Sequence, residues 1–168
     1  MPSPTTYDQL GRFIVKFQRL ERQVVELTEL LAGDQPVITA ILTAELDFSK
    51  RVKTVDVLYS YFVELRVNSK MESSKKAFHK LCSTLLELAG RRNELVHSVF
   101  TPWLSVQGMP GLIRENARLS SSKGALVEIE EELLPDSLDA EIVNLSCVSV
   151  ELEEYRVKII DMLYPSEA

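Results

Sequence analysis

The sequence feature that most constrains the fold of this 168-residue chain is a seven-residue repeat of large apolar side chains near the N-terminus. An α-helix returns to nearly the same face every seven residues. A helix with a continuous apolar face gains most of its stability by packing that face against other elements. The repeat therefore predicts a helix from about residue 7 to residue 32, capped by Thr5 or Thr6 and ended at Gly33. Its members are Leu10, Phe17, Val24 and Leu31.

Four further segments are predicted to be helical from their apolar spacing and from their start and stop residues. Residues 68–71 are predicted to form a turn between two of these helices. The four predicted helices are a short one from Pro36 to about Leu46, one that begins at Asp47 or Ser49 and reaches about Leu65, a long one from about Glu72 to Phe100, and a last one that begins near Pro135–Ser137 and ends at about Leu163.

Between the long helix and the last one, the pattern changes to that of strands. Apolar and polar residues alternate over residues 112–119 and 125–131, and residues 120–124 have the composition of a turn. Trp103 is expected to pack back onto the helices. The sequence thus predicts a mainly all-α protein, an antiparallel four-to-five-helix bundle with a small β-hairpin (about residues 112–131) inserted before the last helix. We expect residues 1–168 to form a single domain.

The charge of the chain is unevenly distributed along its length. The net charge of −6 conceals a basic middle segment, since residues 50–123 hold 13 Lys and Arg against 6 Asp and Glu. Residues 124–168 hold 2 Lys and Arg against 12 Asp and Glu. One interpretation is a local positive field for an anionic ligand. The alternative is that basic and acidic elements complement each other across the fold.

Several classes of function are disfavoured by the composition. The longest apolar runs fall well short of the ~20 residues that cross a bilayer, and the N-terminus lacks the features of a secretion signal. A cytoplasmic location is therefore expected, with Cys82 and Cys147 as two buried thiols. The spacing of cysteines and histidines predicts no metal site, and no cofactor signature is present. The run Glu130–Glu132 is expected to be a solvated face.

Two charged residues interrupt otherwise apolar helical faces. Glu21 lies on a row of the first helix that adjoins the seven-residue repeat, and Arg92 continues an apolar row of the fourth helix. A charge in such a position is costly unless it has a partner. If the two helices pack together, Glu21 and Arg92 are expected to form a salt bridge, which is the preferred role for Glu21.

Arg92 also begins the most informative motif of the chain. Residues 92–97 read Arg-Asn-Glu-Leu-Val-His and hold one of only two histidines. A histidine can move protons near neutral pH, and an arginine can hold a phosphate. The motif and the order of helices over residues 7–100 and 136–163 resemble the HEPN superfamily, specifically small bacterial members whose motif reads close to Arg-Asn-x-Leu-Val-His. The predicted hairpin would be a decoration of that scaffold.

The resemblance implies a metal-independent endoribonuclease that acts as a toxin or a defence effector. It assigns catalytic roles to Arg92 and His97, with assistance from Asn93. From the sequence itself we expect Glu21 and an exposed auxiliary cation at Arg91 to support the site. The resemblance also implies a homodimer in which two motifs line one cleft, and an antitoxin or another protein as a possible partner. The alternative is a non-catalytic HEPN-like dimeric module that binds RNA, a nucleotide or a partner protein.

Helical geometry bears on the catalytic interpretation. Asn93 and His97 share one helix face, but Arg92 lies about 140° around the helix from His97. Each motif residue also has a structural interpretation: Arg92 as the partner of Glu21, Asn93 as a buried amide, and His97 as a cap for helix carbonyls. His79 is too distant along the helix to share the site, and it is expected to be a surface or packing residue. The flank proposed to meet a second subunit consists of Cys82, Leu86, Ala89 and Val96.

Overall fold

The structure, a computed structural model, describes residues 5–33, 35–65, 72–120 and 124–165. The turn predicted at residues 68–71 lies outside these ranges. The described chain is mostly helical, with a small three-stranded antiparallel sheet. Its elements are α1 (Thr6–Ala32), α2 (Pro36–Thr43), α3 (Phe48–Leu65), α4 (Glu72–Val96), β1 (Val99–Leu104), β2 (Pro110–Ser120), β3 (Ala125–Leu133) and α5 (Asp139–Leu163).

The sequence explains both where the first helix begins and which of its faces is buried. Thr5 and Asp8 form a reciprocal capping box at its N-terminus, and Asp8 consequently has a lowered pKa because it accepts hydrogen bonds from Thr5. Phe17 and Val24 of the seven-residue repeat are fully covered, whereas Leu10 and Leu31 lie half-buried at its edge. The centre of the α1 core face is the row Phe13, Phe17, Leu20, Val24 and Leu27.

The main helices do not all run antiparallel to one another. α4 runs opposite to α3, because Asp56 and Glu64 of α3 contact His79 and Lys75 of α4 in reversed order. By contrast, α1 and α5 run parallel. Their polar contacts advance together along both chains, from Gln9–Asp139 to Lys16–Ser146 to Gln23–Ser149. The expectation of an antiparallel bundle is therefore wrong for this pair. The chain passes through α2 between α1 and α3, and through the sheet between α4 and α5, so the main helices do not simply alternate in direction along the sequence.

The sheet is larger than the predicted hairpin. Its strand order is β1-β2-β3, and β2 pairs with β3 from Leu112–Leu133 to Ser120–Ala125, which confirms the two predicted strands. The additional strand β1 begins where the fourth helix was expected to continue to Phe100. β-branched side chains at Val99 and Thr101 favour strand, and Pro102 is tolerated there because β1 is an edge strand.

The remaining features of the described chain concern exposure. Cys82 is buried, and burial raises the pKa of its thiol. Cys147 is exposed, so the expectation of two buried thiols is wrong for the second one. It lies on the outer face of α5, where its neighbours Val143 and Val150 are also exposed. No helix within the described ranges is both long and apolar enough to cross a membrane.

Gly111 tests how closely the sheet is packed. A methyl group there would lie 2.5 Å from the carbonyl oxygen of Leu133, which is a backbone atom that cannot swing aside. We expect Gly111→Ala to lower the free energy of unfolding by about 1–3 kcal/mol, measured by urea denaturation. Gly90→Ala is the matched control, because nothing lies near its added methyl group in α4. This helix substitution should stabilise by about 0.5–1 kcal/mol, and a loss of stability equal to that of Gly111→Ala would contradict the packing argument.

Candidate functional site

The C-terminal end of α4 is joined to the sheet by Arg91. Its guanidinium donates two hydrogen bonds to the Glu131 carboxylate, at 2.9 and 2.6 Å. Glu141 of α5 lies 3.4 Å away, and Glu94 lies 3.7 Å away. The Arg91 side chain is only 18% exposed. The prediction of an exposed auxiliary cation is therefore wrong for Arg91, which is a structural residue whose charge is matched by carboxylates.

The same carboxylate holds a second arginine from β2. Nε of Arg114 donates to Glu131 at 2.6 Å, and the Arg114 side chain is only 3% exposed. Its Nη1 also reaches Ser98 at 3.2 Å, just beyond the end of α4. Hydrogen bonds from Arg91, and then the charges of both arginines, hold the pKa of Glu131 below its usual range. The Glu130–Glu132 run is thus not simply a solvated face, since its middle carboxylate is shared by two cations.

Arg92, one residue further along, faces a different part of the molecule. Its guanidinium carbon lies 5.7 Å from the centre of the Phe17 ring of α1. Nη1 donates to Oδ1 of Asn93 at 3.0 Å, and Nη2 lies 3.9 Å from the Glu21 carboxylate. The predicted pairing of Glu21 and Arg92 is therefore confirmed as a long ion pair. Both side chains are about one-third exposed, so the pair is not deeply buried.

Arg92 and Asn93 line one cleft between α1, α4 and the start of α3. The cleft has a volume of about 610 Å³. Asn93 is exposed to it, so the alternative of a buried amide is wrong. The walls mix cations, carboxylates and aromatic rings, which are groups that can hold a charged and partly planar ligand. The lining residues are Phe17, Glu21, Leu46, Asp47, Phe48, Ser49, Arg51, Ala89, Arg92 and Asn93.

Two of these lining residues carry hydrogen bonds that organise the cleft rim. Arg51 donates to the carbonyl oxygens of Thr43 and Ala44, at 3.3 and 3.1 Å, and so ties α3 to the end of α2. Asp47 accepts a hydrogen bond from the backbone N–H of Lys50, which lowers the pKa of its carboxyl group. The rim therefore holds a second guanidinium group close to the cleft that contains Arg92.

His97 is not brought into this cleft. It is exposed and directly follows the last residue of α4, and its backbone N–H donates to the Asn93 carbonyl at 3.0 Å. Its side chain forms no hydrogen bond with another described residue, so the interpretation of His97 as a side-chain cap is not supported. A single chain thus places Arg92 and Asn93 together but leaves the histidine of the motif outside their cleft.

The second histidine is held by a partner that the sequence pattern did not reveal. Nδ1 of His79 lies 2.6 Å from the Asp56 carboxylate of α3. Among the residues that the structure describes, no three His, Cys, Asp or Glu side chains are placed to share a metal ion. The pairing links residues 23 positions apart, and only the packing of α3 on α4 brings them together.

The predicted dimer flank on α4 is largely occupied within the chain. Cys82 and Ala89 are buried in the core, and Leu86 is half-buried against it. Val96 alone of the four is exposed, at 49%. This flank therefore cannot meet a second subunit as expected, because the helices of the same chain already cover most of it.

The sequence patterns did not identify Arg51 as a residue of the cleft or Arg114 as a partner of Glu131. Arg114 could have been recognised because it lies two positions from apolar Leu112 in a predicted strand. The two side chains therefore share one face, which the helices cover. Arg51 carried no distinguishing signal.

Comparisons with known proteins add no assignment, since no family model, curated protein or solved structure matches this chain.

Glu131→Gln tests the shared carboxylate. We expect it to lower the free energy of unfolding at neutral pH by about 3 kcal/mol, because the buried Arg114 loses its counter-charge. The lowered pKa of Glu131 means that its contribution is complete above the ordinary value of 4.5 and is lost as the pH falls through the folded-state value. Urea denaturation of the variant should therefore depend less on pH on the acid side.

Glu21→Gln is the matched control for this substitution. It removes a longer and more exposed contact, so its cost should be under about 1 kcal/mol. Equal losses in the two variants, or an unchanged acid dependence in Glu131→Gln, would show that Glu131 does not hold the two arginines as described.

Proposed function

We propose that this protein is a HEPN-like domain that binds single-stranded RNA in the cleft of Arg92 and Asn93. The observation that carries the proposal is that these first two residues of the motif line a cleft together with Arg51 and Phe48. Guanidinium groups can hold phosphate oxygens through paired hydrogen bonds. A cleft of about 610 Å³ falls in the usual range for small-ligand sites, and it can accommodate a nucleotide unit.

The mixed charge of the cleft favours a nucleotide over a simple anion. Glu21 and Asp47 offset the charges of the two arginines, so phosphate alone would meet repulsion as well as attraction. A nucleotide offers acceptors on its phosphate and, in three of the four RNA bases, amino donors that carboxylates accept. Phe48 supplies an aromatic surface for a splayed base, which is how proteins commonly hold single-stranded RNA.

A second candidate function is metal-independent RNA cleavage, as a toxin or defence effector. It is favoured by the complete motif and by the exposure of His97 at the end of α4. His97 would take the proton of the RNA 2′-hydroxyl as that oxygen attacks the adjacent phosphorus. The bond to the 5′-oxygen breaks, His97 passes the proton on to this oxygen, and a 2′,3′-cyclic phosphate remains. Arg92 would stabilise the charge that develops on the phosphate oxygens, and Asn93 would orient the phosphate.

Cleavage requires a homodimer in this proposal, because His97 does not line the Arg92 cleft of its own chain. The surface around His97 supports such a contact. Val96 and Val99 flank it and are 49% and 66% exposed. Two copies that meet here would bring the histidine of one chain toward the cleft of the other, and a protein antitoxin could cover the same surface.

RNA binding and cleavage are tested together with a fluorescent single-stranded RNA pool in EDTA. We expect Arg92→Ala to weaken binding, measured by fluorescence anisotropy, by about tenfold, which corresponds to the loss of one good charged contact. Arg22→Ala is the control, since that arginine lies on α1 with its side chain 81% exposed and outside the cleft. Unchanged binding in both Arg92→Ala and Asn93→Ala would exclude the cleft as the RNA site.

The same incubation separates the two functions. Cleavage by the wild type and none by His97→Ala would establish the enzyme, with DNA of the same sequence uncut because it lacks the 2′-hydroxyl. Intact RNA with both proteins, together with binding that depends on Arg92, would establish the non-catalytic module.

The proposed dimer contact has its own test. We expect the wild type to be a dimer by light scattering at micromolar concentration, and Val99→Lys to be a monomer, because a charge in an apolar contact must lose its water. Val15→Lys is the matched control on α1, with a wild-type exposure of 65% against 66% for Val99. A monomeric wild type, or a dimer that Val99→Lys leaves intact, would contradict this arrangement.

A further inference from the structure

A second pocket lies between α3 and α4, near the N-terminal end of α4. Its volume is about 360 Å³. Its distinguishing feature is a histidine–carboxylate pair in which the two residues come from different helices. Nδ1 of His79 contacts Asp56 at 2.6 Å, with the Asp56 side chain 19% exposed and that of His79 72% exposed. The pocket is lined by Asp56, Val57, Ser60, Lys75, Lys76 and His79.

The pairing fixes how the imidazole is presented. A carboxylate on Nδ1 selects the form of the ring with a proton on that nitrogen and restricts ring rotation. Nε2 lies on the other side of the ring, away from Asp56. When the ring is protonated, Nε2–H becomes a donor that points away from the carboxylate. His79 is therefore oriented by a mostly covered partner, while its second nitrogen remains available to a ligand.

The other side chains of the pocket determine which ligand would be accepted. Lys75 and Lys76 bring positive charge to the side of the pocket formed by α4, which disfavours a metal cation. Lys75 is paired with Glu64 at 3.0 Å, so Lys76 is the lysine that we assign to direct contact. Ser60 supplies a hydroxyl donor from α3. Together, Lys76, His79 and Ser60 can present three donors to one group.

We propose that this pocket binds the phosphate monoester group of a phosphorylated ligand. A phosphate monoester carries a charge of about −1.5 to −2 and three terminal oxygens, which matches the three donors. The Asp56 carboxylate lies against Nδ1 of His79 and Lys75 lies against Glu64, so Lys76 supplies the cation for the ligand. A phosphodiester has only two such oxygens and a single charge, so RNA backbone is a poorer match. The site is separate from the Arg92 cleft and does not depend on the function proposed for that cleft.

The test uses the full chain at neutral pH and constant ionic strength, with inorganic phosphate as the first probe and binding monitored by NMR. The chain has only two histidines, so His97→Gln assigns their ring signals. We expect saturable shifts of the His79 ring signals and none of the His97 signals. Lys76→Gln should raise the dissociation constant about tenfold. Lys80→Gln, an exposed lysine one turn further along α4 that does not line the pocket, should change it less than about threefold.

Two further variants separate binding from a purely structural role. His79→Gln should abolish phosphate binding. Asp56→Asn should weaken it although the histidine is retained, because the ring loses its orientation. Lys76→Gln leaves the His79–Asp56 contact in place, so its stability in urea should equal that of the wild type. Equal effects of Lys76→Gln and Lys80→Gln on phosphate binding, or no saturable shift at millimolar phosphate, would overturn the proposal and leave the pair as an interhelix contact only.

The source of the phosphate is distinguished with three more probes. These are a nucleoside 5′-monophosphate and two short RNA oligomers of one sequence, one with a 5′-phosphate and one with a 5′-hydroxyl. The monophosphate and the phosphorylated oligomer should both shift the His79 signals as inorganic phosphate does, and the 5′-hydroxyl oligomer should not. Equal shifts from both oligomers would show that phosphodiesters bind there, and this result would overturn the monoester assignment.

Discussion

The placement of the motif depends on the carboxylate of Glu131, which joins the sheet to the end of α4. It accepts hydrogen bonds from Arg91 of the helix and Arg114 of the strand. Charges that are removed from water destabilise a fold unless fixed partners replace the lost hydration. Arg114 is almost wholly covered, so the sheet cannot move away from α4 without exposing an uncompensated cation or rebuilding this cluster. The final turn of α4 is thereby fixed between the sheet and α1.

This constraint gives two adjacent arginines different roles. Successive residues of an α-helix point about 100° apart, so Arg91 reaches the sheet while Arg92 reaches Phe17 and the cleft beside α1. Carboxylates surround Arg91 and neutralise its charge, so it is not available to bind an anionic ligand. Arg92 contacts one distant acid, one aromatic ring and the Asn93 amide oxygen, which leave other donors of its guanidinium group for another partner. His97 lies beyond the final turn of α4. The helical rotation that directs the Arg92 side chain toward the cleft therefore leaves the His97 side chain outside it.

Helix periodicity was sufficient to predict most of the fold, but not its arrangement. The core face of α5 and both strands of the hairpin followed from spacing alone, and the interrupted rows at Glu21 and Arg92 predicted their contact. The strand β1 was missed because the helical pattern of α4 continues in the sequence through Val99. Arg114 lies directly opposite Glu131 across the predicted hairpin, so the strand pattern already brought these two residues together. The pairs Arg91–Glu131 and Asp56–His79 could not be predicted, since each joins separate elements whose relative placement periodicity does not encode. The parallel packing of α1 on α5 was missed for the same reason.

The separation of the two polar regions along α4 has an electrostatic consequence. Residues 79 and 92 are 13 positions apart, which corresponds to about 20 Å of helix rise. Charges this far apart are largely screened at physiological ionic strength, where the Debye length is about 8 Å. An anion at the His79 pocket therefore neither attracts nor repels a second anion at Arg92 to a useful extent. Any coupling between the two sites would have to pass through movement of α3 or α4, the two helices that line both, and the Glu131 cluster opposes movement of α4 at the Arg92 end.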